Sequence, residues 1–176
     1  MTPFFDPPHV GLLREAADAW RGTPFRKRAR LRGAGVDCIN LVLALYDAAG
    51  LNLDVELPHY GLFDGACRAD AGPIIDWLEC SERFWRLWRR GEPIVPIEAG
   101  DLLCLNIELS VHHVGIALDG LNFFHILQGG AAGSSPTLDS TYVNKLQAIY
   151  RPLRLPRDDQ RRRFQGVASL EEESED

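Results

Sequence analysis

Three residues of this chain could together carry out nucleophilic chemistry: Cys38, His113 and His125, in that order along the sequence. Cys38 follows Gly35-Val36-Asp37 and opens the run Ile39-Asn40-Leu41-Val42-Leu43-Ala44-Leu45-Tyr46, interrupted only by Asn40 and then Asp47. Such a run reads as a core helix. Gly50 closes it, because glycine turns left-handed without a Cβ penalty. Asp37 is placed as the N-cap, which leaves Cys38 among amides that have no partner within the helix and favour a thiolate. A helix N-terminus contributes about 0.3–1 kcal/mol, less than one pKa unit at about 1.4 kcal/mol per unit. A free thiol near pKa 8.5 therefore needs a cationic partner as well, and a histidine is the natural choice.

His113 precedes Val114-Gly115-Ile116, and His125 follows Phe123-Phe124 on the next apolar segment, with Asp119-Gly120 between them. A two-residue Asp-Gly turn would pair position 113 with 126 and send the two imidazoles to opposite faces. A three-residue loop of Leu118, Asp119 and Gly120, with Gly120 left-handed, pairs 113 with 125 and puts both rings on one face. The second register is predicted. The machinery is then a Cys38 thiolate as nucleophile, His113 as its ion-pair partner and general base, and His125 as the group that orients the His113 ring. The backbone N–H of Cys38 is the natural oxyanion donor. His112 faces the other way, and His9 and His59 have no chemical context, so these three read as structural.

The elements that must position these residues can be read in part. Residues 10–21 carry Leu12, Leu13, Ala16, Ala17 and Trp20 at helical spacing, ended by Gly22-Thr23-Pro24. Residues 22–36 read as a loop, and residues 51–72 as irregular structure over the core. The spacing of Ile74, Ile75, Trp77, Leu78, Phe84, Trp85, Leu87 and Trp88 predicts one or two helices over 73–90 with an aromatic face. Short β segments follow at 102–107, 111–118, 121–127 and 147–153, which suggests an antiparallel sheet. The glycine- and serine-rich stretch 129–135 reads as an exposed connection, and residues 157–176 as a disordered charged tail after a domain of residues 1–156.

The chain has 176 residues, 45% of them hydrophobic and 25% charged, which fits one soluble globular domain. The formal net charge of −6 argues against nucleic acid as a partner. Arg21, Arg26, Lys27, Arg28, Arg30 and Arg32 nevertheless cluster before Cys38, either as a solvated loop or as a rim that attracts a carboxylate-bearing substrate. Four cysteines, Cys38, Cys67, Cys80 and Cys104, form no C-x-x-C pair, so no metal is expected. Cys104 lies in an apolar run and reads as core. Cys67 and Cys80 are taken as reduced. The N-terminus lacks the basic and apolar regions of a signal peptide, and no apolar run of about 18 residues offers a membrane span.

Four motifs taken together resemble the NlpC-type cell-wall cysteine peptidases of the papain-like superfamily. These are Gly35-Val36-Asp37-Cys38, Ala99-Gly100-Asp101-Leu102-Leu103, His113-Val114-Gly115-Ile116 and Phe123-Phe124-His125. Trp20-Arg21-Gly22-Thr23-Pro24-Phe25-Arg26 and Gln147-Ala148-Ile149-Tyr150-Arg151-Pro152 look more like the branch found with phage tails and prophage elements. The resemblance covers roughly residues 10–153. It implies an α+β fold with the cysteine helix packed on an antiparallel sheet and no cofactor. It also implies hydrolysis of an amide bond in peptidoglycan stem peptides, commonly between D-glutamate and a diamino acid. Cys38 matches the nucleophile, His113 the base and His125 the third polar member. Asp37, Phe25 and Asn40 are the candidate substrate contacts. Phe25 stands where the family often has a tyrosine, and Ile39-Asn40 replaces its usual small pair after the cysteine. Delivery by a phage-like tail, or by lysis, fits the absence of an export signal. Two other readings use the same residues: a catalytically silent tail-assembly or wall-binding module, and a thiol acyltransferase or deamidase built on the Cys38–His113 pair.

Overall fold

Two helices start in the same way. In a computed structural model of the chain, which describes residues 1–53, 73–107, 111–137 and 139–156 except the side chains of 73, 111 and 112, the Asp6 carboxylate accepts from the His9 amide and opens α1 (Pro7–Trp20). Pro7 and Pro8 occupy its first positions, where a missing N–H costs nothing and so moves the start ahead of the predicted residue 10. Asp37 caps α2 (Cys38–Ala48) in the same manner. Its central residues, Leu41 to Tyr46, are all buried. Gly50, at φ 84°, ends the helix as predicted, and the Leu51 amide donates back to Tyr46 O at 2.8 Å.

The segment before α2 is not a plain loop. Strands β1 (Arg30–Leu31) and β2 (Gly35–Val36) pair, and single bridges join Pro24 to Ala131 and Phe25 to Val36. These bonds tie the approach to Cys38 to the rest of the fold.

The remaining strands are β3 (Phe84–Arg89), β4 (Leu102–Asn106), β5 (Val111–Ala117), β6 (Asn122–His125), β7 (Gly133–Pro136) and β8 (Leu146–Pro152). They form one antiparallel sheet in the order β3-β8-β4-β5-β6-β7. Strand alternation gives the sheet two buried faces. Leu102, Cys104, Val114, Ile116, Phe124 and Tyr150 meet α1 and α2 through Leu13, Leu41 and Leu45. On the other face, Leu103, Leu105, Ala117, Phe123 and Ile149 pack with Trp88, Ile97 and the partly buried Tyr142. Cys104 is fully buried, as a core residue should be. The architecture is the predicted α+β class.

Two further predictions about elements fail, each for a local reason. Only residues Pro73–Cys80 are helical (α3), and the rest of the aromatic stretch is the edge strand β3. A bulge between Arg86 and Trp88 shifts its register, so Phe84 joins the helix-side core while Trp88, four residues on, joins the opposite one. Aromatics spaced by four across a bulge imitate a helical period. The glycine- and serine-rich stretch, in turn, contains β7 rather than a bare connection, paired to β6 from Asn122↔Pro136 to His125↔Gly133. Most of residues 51–72, the tail 157–176, His59, Cys67 and the side chain of His112 lie outside the described residues.

The sheet is also pinned at one end by charge. Asp101, buried at the start of β4, accepts from Arg151 of β8 through Nε and Nη2, both at 2.8 Å, and from the Glu98 amide at 2.8 Å. Burial raises the Asp101 carboxyl above its ordinary range, against the pull of the guanidinium.

Candidate active site

The first turn of α2 is built by Asp37. Its Oδ1 accepts from the Asn40 amide at 2.9 Å and from Asn40 Nδ2 at 3.0 Å, while Oδ2 accepts from the Arg28 amide at 2.6 Å. Arg28 is held at φ 62°, a left-handed conformation that a residue with a Cβ adopts only when its surroundings enforce it. The cap takes the third amide of the turn, and those of Cys38 and Ile39 bear on Sγ of Cys38. A third amide arrives from the sheet, since Val114 N–H of β5 also donates to Sγ. All three favour a thiolate. Burial opposes them and wins, with help from the Asp37 charge, and pushes the Cys38 thiol up to about 11.

Val114 follows His113 directly, so the thiol is anchored one residue along β5 from the candidate base. The strands β5 and β6 pair Ile116 with Phe124 and Ala117 with Phe123. Their loop is Asp119-Gly120-Leu121, closed by Leu118 N–H to Asn122 O at 2.8 Å, not the predicted Leu118-Asp119-Gly120. Asp119 sets it: Oδ1 accepts from the amides of Leu121 and Asn122, each at 2.7 Å, and Gly120 needs no left-handed conformation. The register therefore brings Gly115, rather than His113, opposite His125. Because both strands keep their parity, the two rings still share a face. His113 Nε2 lies 3.0 Å from His125 Nδ1, the ring centroids 5.1 Å apart at 72°.

Gly115 makes this possible. A Cβ there would stand 2.6 Å from Phe123 Cδ2 and 3.0 Å from His125 Cβ. His125 is stacked on Phe123, with centroids 4.4 Å apart, and meets the edge of Tyr142 at 5.2 Å. Its Nε2 lies 2.9 Å from Ser135 Oγ of β7, which donates to the Tyr142 hydroxyl at 3.5 Å. Burial holds both imidazoles well below the usual histidine range, His113 at about 3 with its neighbour His125 adding to the effect, and His125 at about 4. These environments favour a neutral thiol and neutral imidazoles at rest.

Of the candidate substrate contacts, Asp37 and Asn40 are engaged with each other in the helix cap. Phe25 donates its amide to Gly130 O at 2.9 Å and packs against the helix-side core. The basic cluster is exposed, with Arg30 paired to Asp47 of α2 and Arg21 to Asp18 of α1. His9 is buried against Phe4 and paired with Asp6, which explains it as a structural residue. Ser135 and Tyr142 escape sequence reasoning. One sits in a glycine- and serine-rich run and the other in a helix of four residues, α4 (Ser140–Val143). Among the described residues, no group of three or more His, Cys, Asp or Glu could hold a metal ion. No helix there is long and apolar enough to cross a membrane.

No family model and no curated protein matches the chain by sequence. Among solved structures, it is similar to an NLP/P60 family protein of Staphylococcus aureus described as similar to lipoprotein. The TM-score is 0.53 and the identity 22%, covering 88% of this chain and 45% of that one. It is also similar to an NlpC/P60 family protein of Bacillus cereus, with a TM-score of 0.51 and 17% identity, covering 80% of this chain and 39% of the other. The chain thus spans less than half the length of either neighbour. A cysteine at the start of a core helix, anchored by an antiparallel sheet that carries two hydrogen-bonded histidines, is here set on the fold of the NlpC/P60 proteins.

Proposed function

We propose that this chain is a cysteine peptidase that hydrolyses amide bonds of peptidoglycan stem peptides, with Cys38 as nucleophile, His113 as general base and His125 as the group that orients it. The observation that carries this reading is the juxtaposition on β5: the amide that binds Cys38 Sγ is next in sequence to the imidazole whose Nε2 is held by His125. That bond uses Nε2 and leaves Nδ1 of His113 for the thiol proton. The NlpC/P60 fold supports a cell-wall substrate, and the resemblance of the motifs supports the bond between D-glutamate and a diamino acid. The phage-tail-like motifs near Trp20 and Gln147 support delivery by a tail-like particle.

The chemistry follows from the neutral resting state. As Sγ attacks the substrate carbonyl carbon, its proton passes to His113 Nδ1, and the carbonyl oxygen takes negative charge against the amide N–H of Cys38. Collapse of the tetrahedral intermediate breaks the C–N bond, and His113 returns the proton to the departing amine. Water, deprotonated by His113, then hydrolyses the thioester and restores the thiol. Nearby amides favour the charged sulfur as His113 takes its proton during the attack.

The burial that raises Cys38 to about 11 also favours a second reading, a module that keeps the fold and binds wall or tail without turnover. Digestion of purified muropeptides, followed by mass spectrometry, separates them. Cleavage within the stem peptide by the wild type, lost in Cys38→Ala and His113→Ala, establishes the peptidase. An undigested substrate together with co-sedimentation on sacculi establishes the binding module.

A further inference from the structure

The hydrogen-bond chain that begins at His113 continues past His125 to Ser135 and Tyr142. Each neutral imidazole holds one proton, on Nδ1 or on Nε2, and a serine hydroxyl has one proton to give. The chain can therefore run in two directions. If Ser135 donates to Tyr142, its oxygen accepts from His125 Nε2–H, so His125 Nδ1 has a lone pair and accepts from His113 Nε2–H. His113 Nδ1 is then the basic nitrogen. If instead Ser135 donates to His125 Nε2, then His125 Nδ1–H donates to His113 Nε2, and His113 Nδ1 already carries a proton. In that state it cannot take one from a thiol.

The Ser135–Tyr142 contact selects the first direction, with Ser135 Oγ–H donating to the Tyr142 hydroxyl at 3.5 Å. Strand β7 sets Ser135 opposite Phe123, on the face that also carries His125. Tyr142 is fixed by edge contacts to both rings, 5.1 Å from Phe123 and 5.2 Å from His125. Asp139 caps its short helix by accepting from the Thr141 amide at 2.7 Å. The hydroxyl of Tyr142 is thus held beside Ser135 Oγ, within reach of its proton.

We propose that Ser135 and Tyr142 are positioning residues that fix the direction of this chain, holding His113 as the Nε2–H tautomer with Nδ1 free. The purpose of that tautomer rests on the peptidase reading, whereas its existence does not. Both rings are kept neutral by burial, so an imidazolium does not blur the direction.

Histidine labelled with 15N, read by long-range proton–nitrogen correlation at neutral pH, tests this directly. In the wild type, His113 should show a protonated Nε2 and an unprotonated Nδ1. Tyr142→Phe removes the acceptor of the serine proton, and Ser135→Ala removes the acceptor of His125 Nε2–H. Each should move the His113 population toward Nδ1–H by roughly twofold to tenfold, the weight of one ordinary hydrogen bond. Ser135→Thr, which keeps the hydroxyl, should retain the wild-type populations. A wild-type His113 that is mainly Nδ1–H, or populations unmoved in both Tyr142→Phe and Ser135→Ala, overturns the proposal. Muropeptide digestion by the same proteins separates the two claims. If the tautomers behave as expected and nothing is cleaved, the peptidase reading fails and the wiring stands. If the wild type cleaves and the tautomers do not respond, the wiring fails alone. If both hold, Ser135→Ala should lower kcat with KM unchanged.

Discussion

Gly115 gives the two imidazoles their room, and it is the residue at which a single methyl group should do most damage. An added Cβ would meet the Phe123 ring at 2.6 Å and His125 Cβ at 3.0 Å, both on β6, whose position is set by the ladder on either side. Overpacking of this kind costs about 1–3 kcal/mol. Gly115→Ala should therefore lower the unfolding free energy by that amount and the denaturant midpoint with it; an unchanged midpoint would show that β6 can yield freely. At Cys38 the balance of amides against burial makes a different forecast. Three N–H groups favour the thiolate, yet burial leaves the thiol at about 11. The rate of iodoacetamide labelling at Cys38, followed by mass spectrometry against pH, should rise with a midpoint above that of a free thiol. A midpoint well below the free-thiol value would instead establish a resting ion pair with His113.

At the scale of elements, the parts of the fold written in local chemistry are legible and the parts written in pairing are not. Asp37 and Gly50 bracket α2 in the sequence because a cap and a left-handed glycine are properties of single residues. The common face of His113 and His125 is legible too, since it depends on parity alone. The loop between them is not, because the Asp119 side chain, rather than the Asp-Gly pair, decides which residues it closes. Strand β3 hides behind its bulge. Strand β7 hides because an edge strand of glycine, serine and proline is held by its neighbour's ladder, not by its own propensity. The ion pair at the other end of the sheet is another such tertiary feature. Asp101 has only 1% of its surface exposed and relies on Arg151, which reaches it from β8. Removing one partner of a buried pair strands the other charge and costs about 3–5 kcal/mol. Arg151→Ala should thus lose that much stability in equilibrium unfolding, with Asp101→Asn in the same background recovering part of it. A loss below about 1 kcal/mol would mean that water reaches Asp101 in the variant.

For the whole molecule, the buried histidines should write themselves into the dependence of stability on pH. His113 and His125 have their pKa values depressed by burial, to about 3 and about 4, whereas the unfolded chain titrates near 6.5. As pH falls through 6.5 the unfolded chain takes up protons that the folded chain refuses, so the stability these groups contribute is full above 6.5 and is lost progressively below it. Carboxylates with lowered values, such as Asp6 at about 2 and Glu79, begin to act only as pH falls into the ordinary carboxylate range, below about 5. Asp101, raised by burial, works in the opposite sense. A decline that starts just below pH 6.5 is thus a histidine signature. At the alkaline end the sign reverses: Cys38 is raised from 9.0 to about 11, so the stability it contributes is present below 9 and is lost as pH climbs toward 11. Denaturant midpoints measured across this range should describe a plateau between roughly 6.5 and 9 with both shoulders falling. Replacing His113 by Gln should lessen the acid shoulder, leaving the share of His125, and replacing Cys38 by Ser should lessen the alkaline one, leaving the share of buried Cys104, whose thiol is raised further. A wild-type protein as stable at pH 5 as at pH 7 would mean that the imidazoles are protonated in the fold, and the neutral relay from His113 to Ser135 would lose its basis.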